Sequence, residues 1–126
     1  SMPDDNSFDM LYDNLRAQET ISFWSTSFIR GVTMDNCIVI VDEFSNLNFH
    51  ELDSMITRIG EDSKIMLCGD ITQTDLVKEN EKTGISDFIK ILQNMREFTC
   101  VEFGIEDIVR SGLVKSYLLT KYNMGF

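Results

Sequence analysis

The sequence is poor in the residues that build several common kinds of site. Its 126 residues include one histidine, and none of its three cysteines forms a CxxC pair. A single histidine excludes a metal site built from several histidines. Because Cys37, Cys68 and Cys100 each lie in or beside an apolar, strand-like run, we expect buried, reduced thiols rather than disulfides or zinc ligands.

Long apolar runs and positive charge are also scarce. The chain has no run of eighteen apolar residues and no signal-peptide pattern, so it predicts no membrane segment and, by default, a cytoplasmic location. Eleven basic against twenty-one acidic residues give a formal net charge of -10. Because phosphate contacts need Lys and Arg, this balance argues against strong sequence-independent binding of nucleic acid by this chain alone.

The remaining composition is that of an ordinary globular protein, with 43% hydrophobic and 25% charged residues. We expect a single domain over residues 1–126, with residues 1–6 frayed or left from cloning. Apolar periodicity predicts strands at 20–24, 37–41, 65–68 and 99–103. Helices are predicted at 8–15, 49–59, 88–95 and 107–117. This alternation indicates an α/β fold with a largely parallel sheet.

Local signals refine these elements. Ser7 is a candidate cap for the first helix, and the spacing of Asn48 and Glu51 predicts a capping box for the second. Phe23 and Trp24 are expected to be core or half-buried aromatics. A turn is predicted at 30–31 and a charged, mobile loop at 78–83.

The chain is organised around the stretch Cys37-Ile38-Val39-Ile40-Val41-Asp42-Glu43. Its uncharged, mostly β-branched run fits a strand buried on both faces, and the two acids stand at its C-terminal end, where open α/β sheets place their ligands. The first carboxylate can hold a hydrated Mg²⁺, and the second can accept a proton from a water that attacks a phosphate. This is the form of a Walker B strand. The alternative is a core strand that ends in two solvated acids.

A second apolar strand, 65–68, also ends in polar residues, Gly69-Asp70, and Gln73 follows three residues later. In phosphate-cleaving enzymes, a polar group on the neighbouring strand can contact the terminal phosphate or the attacking water. Gln73 is suitably placed for that role, although an ordinary polar strand end would give the same pattern.

Together these residues resemble the PhoH-like family of P-loop ATPases, whose core is similar to that of superfamily 1 helicases. The resemblance runs from about Tyr12 to about Val114. The matching pieces, in chain order, are Arg30-Gly31-x-Thr33, Asn36, Val39-Ile40-Val41-Asp42-Glu43 with Asn46, Thr57-Arg58-Ile59-Gly60, Gly69-Asp70-Ile71-Thr72-Gln73-x-Asp75-Leu76, and Asp107-Ile108-Val109-Arg110 followed by Leu113-Val114.

The resemblance implies a partial P-loop NTPase (RecA-like) three-layer sandwich with ATP and Mg²⁺ as ligands. It implies that Asp42 holds Mg²⁺ through water, that Glu43 is the general base and that Gln73 senses the γ-phosphate. Gly69 and Asp70 would line the nucleotide site, and Arg110 would neutralise charge on the transferring phosphoryl group, in cis or in trans. Coupling to RNA or DNA is a further implication. Arg30 and Arg58 are weaker candidates for the charge-neutralising role.

The chain also departs from the family pattern. Phe44-Ser45 follows the acidic pair where the family usually has Ala-Gln, Val77 replaces a common proline, and Ser111-Gly112 replaces a common His-Pro pair. No GxxxxGK[ST] phosphate-binding loop occurs among its seven glycines. We therefore expect the chain to be the C-terminal portion of a longer ATPase, nearly inactive alone. Its open sheet edges are expected to promote self-association, unless strand 99–103 closes the gap.

Two other functions remain open on the sequence. One is a catalytically silent protein-interaction module that keeps the ATPase scaffold, which Phe44, Ser45 and the missing loop favour. The other is a metal-dependent nuclease that uses Asp42, Glu43 and Asp70. Acids at neighbouring strand ends are expected in P-loop proteins anyway, so they give the nuclease little independent support.

Overall fold

The computed structural model describes residues 5–71 and 84–126, which form two compact units, residues 1–90 and 91–126. The regular elements are α1 (Asp5–Ala17), β1 (Ile38–Val41), α2 (Phe49–Ile56), β2 (Lys64–Leu67), α3 (Ile85–Gln93) and α4 (Gly112–Asn123). Short 3-10 turns lie at Thr26–Phe28, Phe44–Asn46 and Ile105–Asp107. No helix in the described ranges is long and apolar enough to cross a membrane.

Strands β1 and β2 form a parallel pair joined through α2. The register places Ile38 opposite Lys64 and Val41 opposite Leu67, and an isolated parallel bridge joins Met34 and Ile59 before the strands begin. The α/β class with parallel strand pairing is therefore confirmed. The sheet has two strands in the described part of the chain.

Helix α2 begins where the capping-box spacing predicted. The Asn48 side chain accepts a hydrogen bond from Glu51 N at 2.9 Å, and the Glu51 carboxylate accepts one from Asn48 N at 2.9 Å. Two of the orphan N–H groups of the first turn are satisfied in this way. Leu52 and Met55, on the inner face of α2, are buried, and Leu52 is fully enclosed. The prediction of a capped, amphipathic helix after the central strand is confirmed.

The core of the first unit joins α2, α3 and the end of β1. Its buried apolar side chains are Ile29, Val41, Phe44, Leu52, Met55, Ile85 and Phe88. The rings of Phe49 and Phe88 meet edge to face with centroids 6.2 Å apart. In residues 91–126, all of them described, no apolar side chain is buried.

The central strand is covered on one face and not on both. Val41 is 6% exposed, whereas Ile38 and Ile40 are 66% and 61% exposed. Alternation of this kind belongs to a sheet with one covered face, so the expectation of a strand buried on both faces was wrong. The prediction of burial failed because β-branched residues favour strands whether their side chains lie on the covered or the exposed face.

The predicted strand 20–24 is also absent. Residues 22–25 belong to no helix or strand, and Phe23 and Trp24 are exposed rather than core residues. Local contacts satisfy these side chains instead: Trp24 Nε1 donates to Ser22 Oγ at 2.8 Å, and the Arg16 guanidinium lies 5.3 Å from the centre of the Phe23 ring. Alternating apolar residues form a strand only where a neighbour accepts their backbone hydrogen bonds.

The second unit departs further from expectation. Residues 98–104 belong to no helix or strand, and Val101 and Phe103 are 74% and 84% exposed, so the predicted strand 99–103 was wrong and does not close the sheet. The last helix begins at Gly112 rather than at residue 107, after the separate 3-10 turn Ile105–Asp107.

Among the remaining sequence predictions, some are confirmed and others are wrong. Helix α1 begins at Asp5, so Ser7 lies inside it and is not its cap; residues 1–4 and the predicted loop 78–83 lie outside the described residues. The turn at 30–31 is confirmed, with Gly31 at φ 90°. All three cysteines are free thiols as expected, but Cys68 and Cys100 are exposed and Cys37 is half-buried. Strand-like sequence beside a cysteine therefore did not imply burial.

A serine fastens the N-terminal ends of the two strands. The Ser63 hydroxyl donates to Met34 O at 2.8 Å and accepts from Cys37 N at 3.2 Å, across more than twenty residues of chain. Met34 O also accepts a hydrogen bond from Gly60 N at 2.8 Å, so it keeps a partner when Ser63 is replaced. For Cys37 N, the acceptor in the described structure is Ser63 Oγ. Ser63 thus fixes where the parallel pairing begins.

Replacing Ser63 with alanine is expected to lower the free energy of unfolding by about 1–2 kcal/mol, because a partly buried backbone N–H loses its acceptor. The matched control is Ser54→Ala, since Ser54 is also half-buried but has no side-chain hydrogen bond in the described structure. Urea unfolding of both variants measures the difference. Equal midpoints would show that Ser63 contributes nothing to strand pairing.

Candidate functional site

Two acidic turns lie at the same edge of the β1–β2 pair. The strands are parallel and in register through Val41 and Leu67, so Asp42-Glu43 and Gly69-Asp70 both follow the carboxyl ends. Backbone pairing continues past the strands: Cys68 N donates to Val41 O at 2.9 Å, and Phe44 N donates to Cys68 O at 3.0 Å. The two turns are therefore tied to each other through the main chain.

Glu43 has a left-handed backbone conformation, with φ 53° and ψ 41°. This conformation costs a residue with a side chain roughly 1–2 kcal/mol. It is held on both sides, because Glu43 N donates to Asp42 Oδ1 at 3.0 Å and Glu43 O accepts from Asn46 N at 2.9 Å. Strained non-glycine residues of this kind concentrate at functional sites, where surrounding contacts over-determine the backbone. Nothing in the sequence signals this conformation.

Phe44 packs under the second turn. It is 9% exposed, and a Cβ atom added to Gly69 would stand 2.8 Å from Phe44 Cδ1 and 3.0 Å from Phe44 Cε1. A contact of that length is too short for a real side chain, so the Phe44 ring can occupy this position only because residue 69 has no side chain. The glycine at position 69 is the sequence feature that could have indicated this close contact.

In the sequence, Phe44 is a departure from the family pattern and one of the features that favour an interaction module. The structure gives it a packing role: its N–H bonds to Cys68 O, and its ring fills the space beside Gly69. The residue that follows the acidic pair thus anchors that pair to the neighbouring strand end.

The acids themselves face outward. Asp42, Glu43 and Asp70 are all exposed, and Asp42 Oδ1 is occupied by the Glu43 N–H. Among the described residues no group of three or more acidic, histidine or cysteine side chains is close enough to hold a metal ion. Mg²⁺ keeps several of its waters and often takes only one or two carboxylates from the protein. A single exposed Asp42 fits that mode of binding and does not fit a fully protein-built metal cage.

The other predicted site residues are not gathered here by the described structure. Gln73 lies outside the described residues. Arg110 is exposed in the loop before α4 and belongs to the second unit. Arg58 flanks the Met34–Ile59 bridge at the opposite end of the strand pair, so the structure separates it from the acidic edge. Arg30 lines a cleft with residues of α2.

Comparison with known proteins assigns the sequence to a family. A family model described as PhoH-like protein matches residues 7–122, which is most of the chain. The chain belongs to the PhoH-like family. PhoH-like proteins are P-loop ATPases, so the resemblance inferred from the motifs is confirmed.

Several curated relatives are similar in sequence to this PhoH-like chain. It is 36% identical over 92 residues to Protein PhoH of Escherichia coli (strain K12), an overlap of 73% of this chain and 26% of that protein. It is 31% identical over 115 residues to a PhoH-like protein of Bacillus subtilis, covering 85% and 36%. A PhoH-like protein of Synechocystis is 37% identical over 89 residues, covering 71% and 27%. The chain spans about a quarter to a third of the length of these relatives.

Proposed function

We propose that this chain is the part of an ATP-hydrolysing PhoH-like protein that activates water and helps to hold Mg²⁺. The observation that carries the proposal is the parallel strand pair, which brings Asp42-Glu43 and Gly69-Asp70 to one edge and ties the two turns through Phe44 N and Cys68 O. Membership of a family of P-loop ATPases supports the same reading. A RecA-like three-layer sandwich around this pair is part of the proposal.

In this mechanism the chain contributes a base and a carboxylate. Glu43 accepts the proton of the water whose oxygen attacks the γ-phosphorus, while the bond from that phosphorus to the β-phosphate oxygen breaks and ADP leaves. The left-handed turn at Glu43 fixes where its side chain leaves the main chain, and the hydrogen bond to Asp42 Oδ1 orients the neighbouring carboxylate. A hydrated Mg²⁺ held by Asp42 would offset charge on the phosphates.

The remaining roles belong to the same proposal. Gly69 and Asp70 line the nucleotide at the second strand end, Gln73 senses the γ-phosphate and Arg110 neutralises phosphoryl charge. A glycine-rich Gly-Lys-Ser/Thr loop is needed to wrap the phosphates, and this sequence does not contain one. Coupling of the cycle to RNA or DNA and a cytoplasmic location complete the proposed function of the longer protein.

The test is Mg²⁺-dependent ATP binding and turnover, measured on this chain and on a version extended upstream with whatever the gene encodes there. We expect turnover in the extended protein and negligible turnover in the 126-residue chain. Omitting Mg²⁺ is expected to abolish the reaction. Absence of ATP binding by both forms would contradict the proposal.

A second candidate is a catalytically silent interaction module, and one observation favours it. Ile38, Ile40 and Met66 are between 49% and 66% exposed on the outer face of the strand pair, beside the exposed Lys64. Exposed apolar side chains on adjacent strands commonly mark contact surfaces. Self-association through this face predicts that sedimentation of the chain depends on concentration and that Ile40→Glu removes the dependence. A monomer at all concentrations would exclude self-association through this face.

A further inference from the structure

The first unit contains a polar cleft whose lining includes none of the acidic residues at the strand ends. It lies between the 3-10 turn at Thr26–Phe28 and helix α2, and its volume is about 50 Å³. The apolar part of its lining is Ile29 and Met55, which are 6% and 5% exposed. Polar side chains make up the rest of the lining: Thr26, Ser27, Arg30, His50, Glu51 and Ser54.

Most polar side chains of this cleft have no partner within the described structure. Within the described structure, the three hydroxyls, the Arg30 guanidinium and the His50 imidazole make no side-chain hydrogen bond or ion pair. Glu51 is the exception, because its carboxylate accepts from Asn48 N in the capping box. Thr26, Ser27, Arg30 and His50 are exposed and Ser54 is half-buried, so their donors face solvent and are available to a ligand.

The chemistry of the donors selects the class of ligand. A guanidinium offers a planar fork of N–H donors that matches two oxygens of a phosphate, an imidazole offers at least one N–H, and each hydroxyl can donate once. The volume accommodates roughly three to five water-sized spheres, which is comparable with the four oxygens of a phosphate group. A metal cation is disfavoured because Glu51 is the one carboxylate among the described lining residues and Arg30 lines the same cleft.

We propose that this cleft binds a phosphate group through Arg30, His50 and the surrounding hydroxyls of Ser27 and Ser54. The cleft residues are distinct from those to which the proposed function assigns a role, which are Asp42, Glu43, Gly69, Asp70, Gln73 and Arg110. Glu51 opposes the bound anion, and the chain's net charge of -10 opposes it further. Affinity for free phosphate is therefore expected in the millimolar range.

The single histidine makes the test direct. His50 is the one imidazole in the chain, so its ring-proton NMR resonance reports on the cleft without assignment of other residues. Inorganic phosphate is titrated at fixed pH and at an ionic strength balanced with sodium chloride. We expect a saturable shift with phosphate that chloride does not reproduce. No shift, or an equal shift with chloride, would overturn the proposal.

Matched variants locate the binding. Arg30→Gln is expected to weaken phosphate binding at least ~10-fold, because a charge-assisted hydrogen bond is lost. Glu51→Gln keeps a capping-box side chain but removes the negative charge, so it is expected to tighten binding. Arg96→Gln removes an exposed cation elsewhere and is expected to change nothing. Equal affinity in the Arg30 and Arg96 variants would refute the assignment.

Two further experiments identify the source of the phosphate group and the place where it binds. If AMP binds more tightly than inorganic phosphate and adenosine causes no shift, the ligand is a phosphate group carried by a nucleotide. If AMP and inorganic phosphate bind with equal affinity, the ligand is free phosphate. A shift with adenosine alone would overturn the proposal. Asp42→Asn is expected to leave phosphate binding unchanged, and tighter binding in that variant would place the anion beside Asp42 at the strand end instead. Ser27→Ala, with a smaller expected loss, provides an independent check if Arg30→Gln fails to fold.

Discussion

Glu43→Gln is expected to reduce ATP turnover by the extended protein at least ~100-fold, which is the low end of the contribution of a general base. The amide keeps the size of the side chain but cannot accept the proton of the attacking water. ATP binding should persist, because Glu43 is not required to hold the phosphates. Steady-state turnover and equilibrium binding of a fluorescent ATP analogue measure the two effects separately.

The control for this substitution is Glu19→Gln. Glu19 also has a left-handed backbone, with φ 57°, and is also exposed, but it follows α1 rather than a strand. Its replacement tests whether loss of a carboxylate at a strained backbone position is harmful by itself. Turnover is expected to be unchanged in this variant. A loss of turnover equal to that of Glu43→Gln, or no loss in either variant, would remove Glu43 from the mechanism.

Phe44→Ala is expected to lower the free energy of unfolding by about 3–5 kcal/mol, because it deletes a buried ring and leaves a cavity. Gly69→Ala alone is expected to cost about 1–3 kcal/mol by overpacking, since the new Cβ would stand 2.8 Å from Phe44 Cδ1. The two changes are coupled through the same contact. Adding Gly69→Ala to Phe44→Ala should therefore cost close to nothing.

Thermal or urea unfolding of the four proteins in this cycle gives the coupling energy. Gly112→Ala is the matched control, because a Cβ at that position would meet no atom within 4 Å and the backbone does not have a positive φ. That variant should be neutral or slightly more stable, since alanine favours helix α4. If the costs of Phe44→Ala and Gly69→Ala simply add, Phe44 does not lock the two strand ends together.

The cycle also bears on the proposed mechanism. Phe44 N is bonded to Cys68 O, and Phe44 directly follows the left-handed Glu43. Loss of the ring should therefore loosen the position of the base as well as the core. A family member with a smaller residue after its acidic pair must fix the glutamate through other contacts, so the substitution to alanine is not expected to be neutral in this chain.

Local sequence signals determined much of the first unit. The capping box at Asn48 and Glu51, the parallel order of the two apolar strands and the acidic residues at their ends were all predictable, because each depends on neighbours a few residues apart or on the periodicity of a single element. Family membership followed from the order and spacing of short motifs, which need no coordinates. The roles of Asp42, Glu43, Gln73 and Arg110 in hydrolysis remain predictions.

The tertiary structure alone decided what depends on a partner distant in the chain. Residues 20–24 and 99–103 have strand-like composition, yet they make no ladder in the described structure, because a strand requires a neighbour for its backbone groups. Exposure of Ile38 and Ile40 depends on which face of the sheet is covered, which composition does not encode. The left-handed Glu43, the contact of Phe44 with the position of Gly69 and the unpartnered donors around Arg30 likewise arise from residues that only folding brings together.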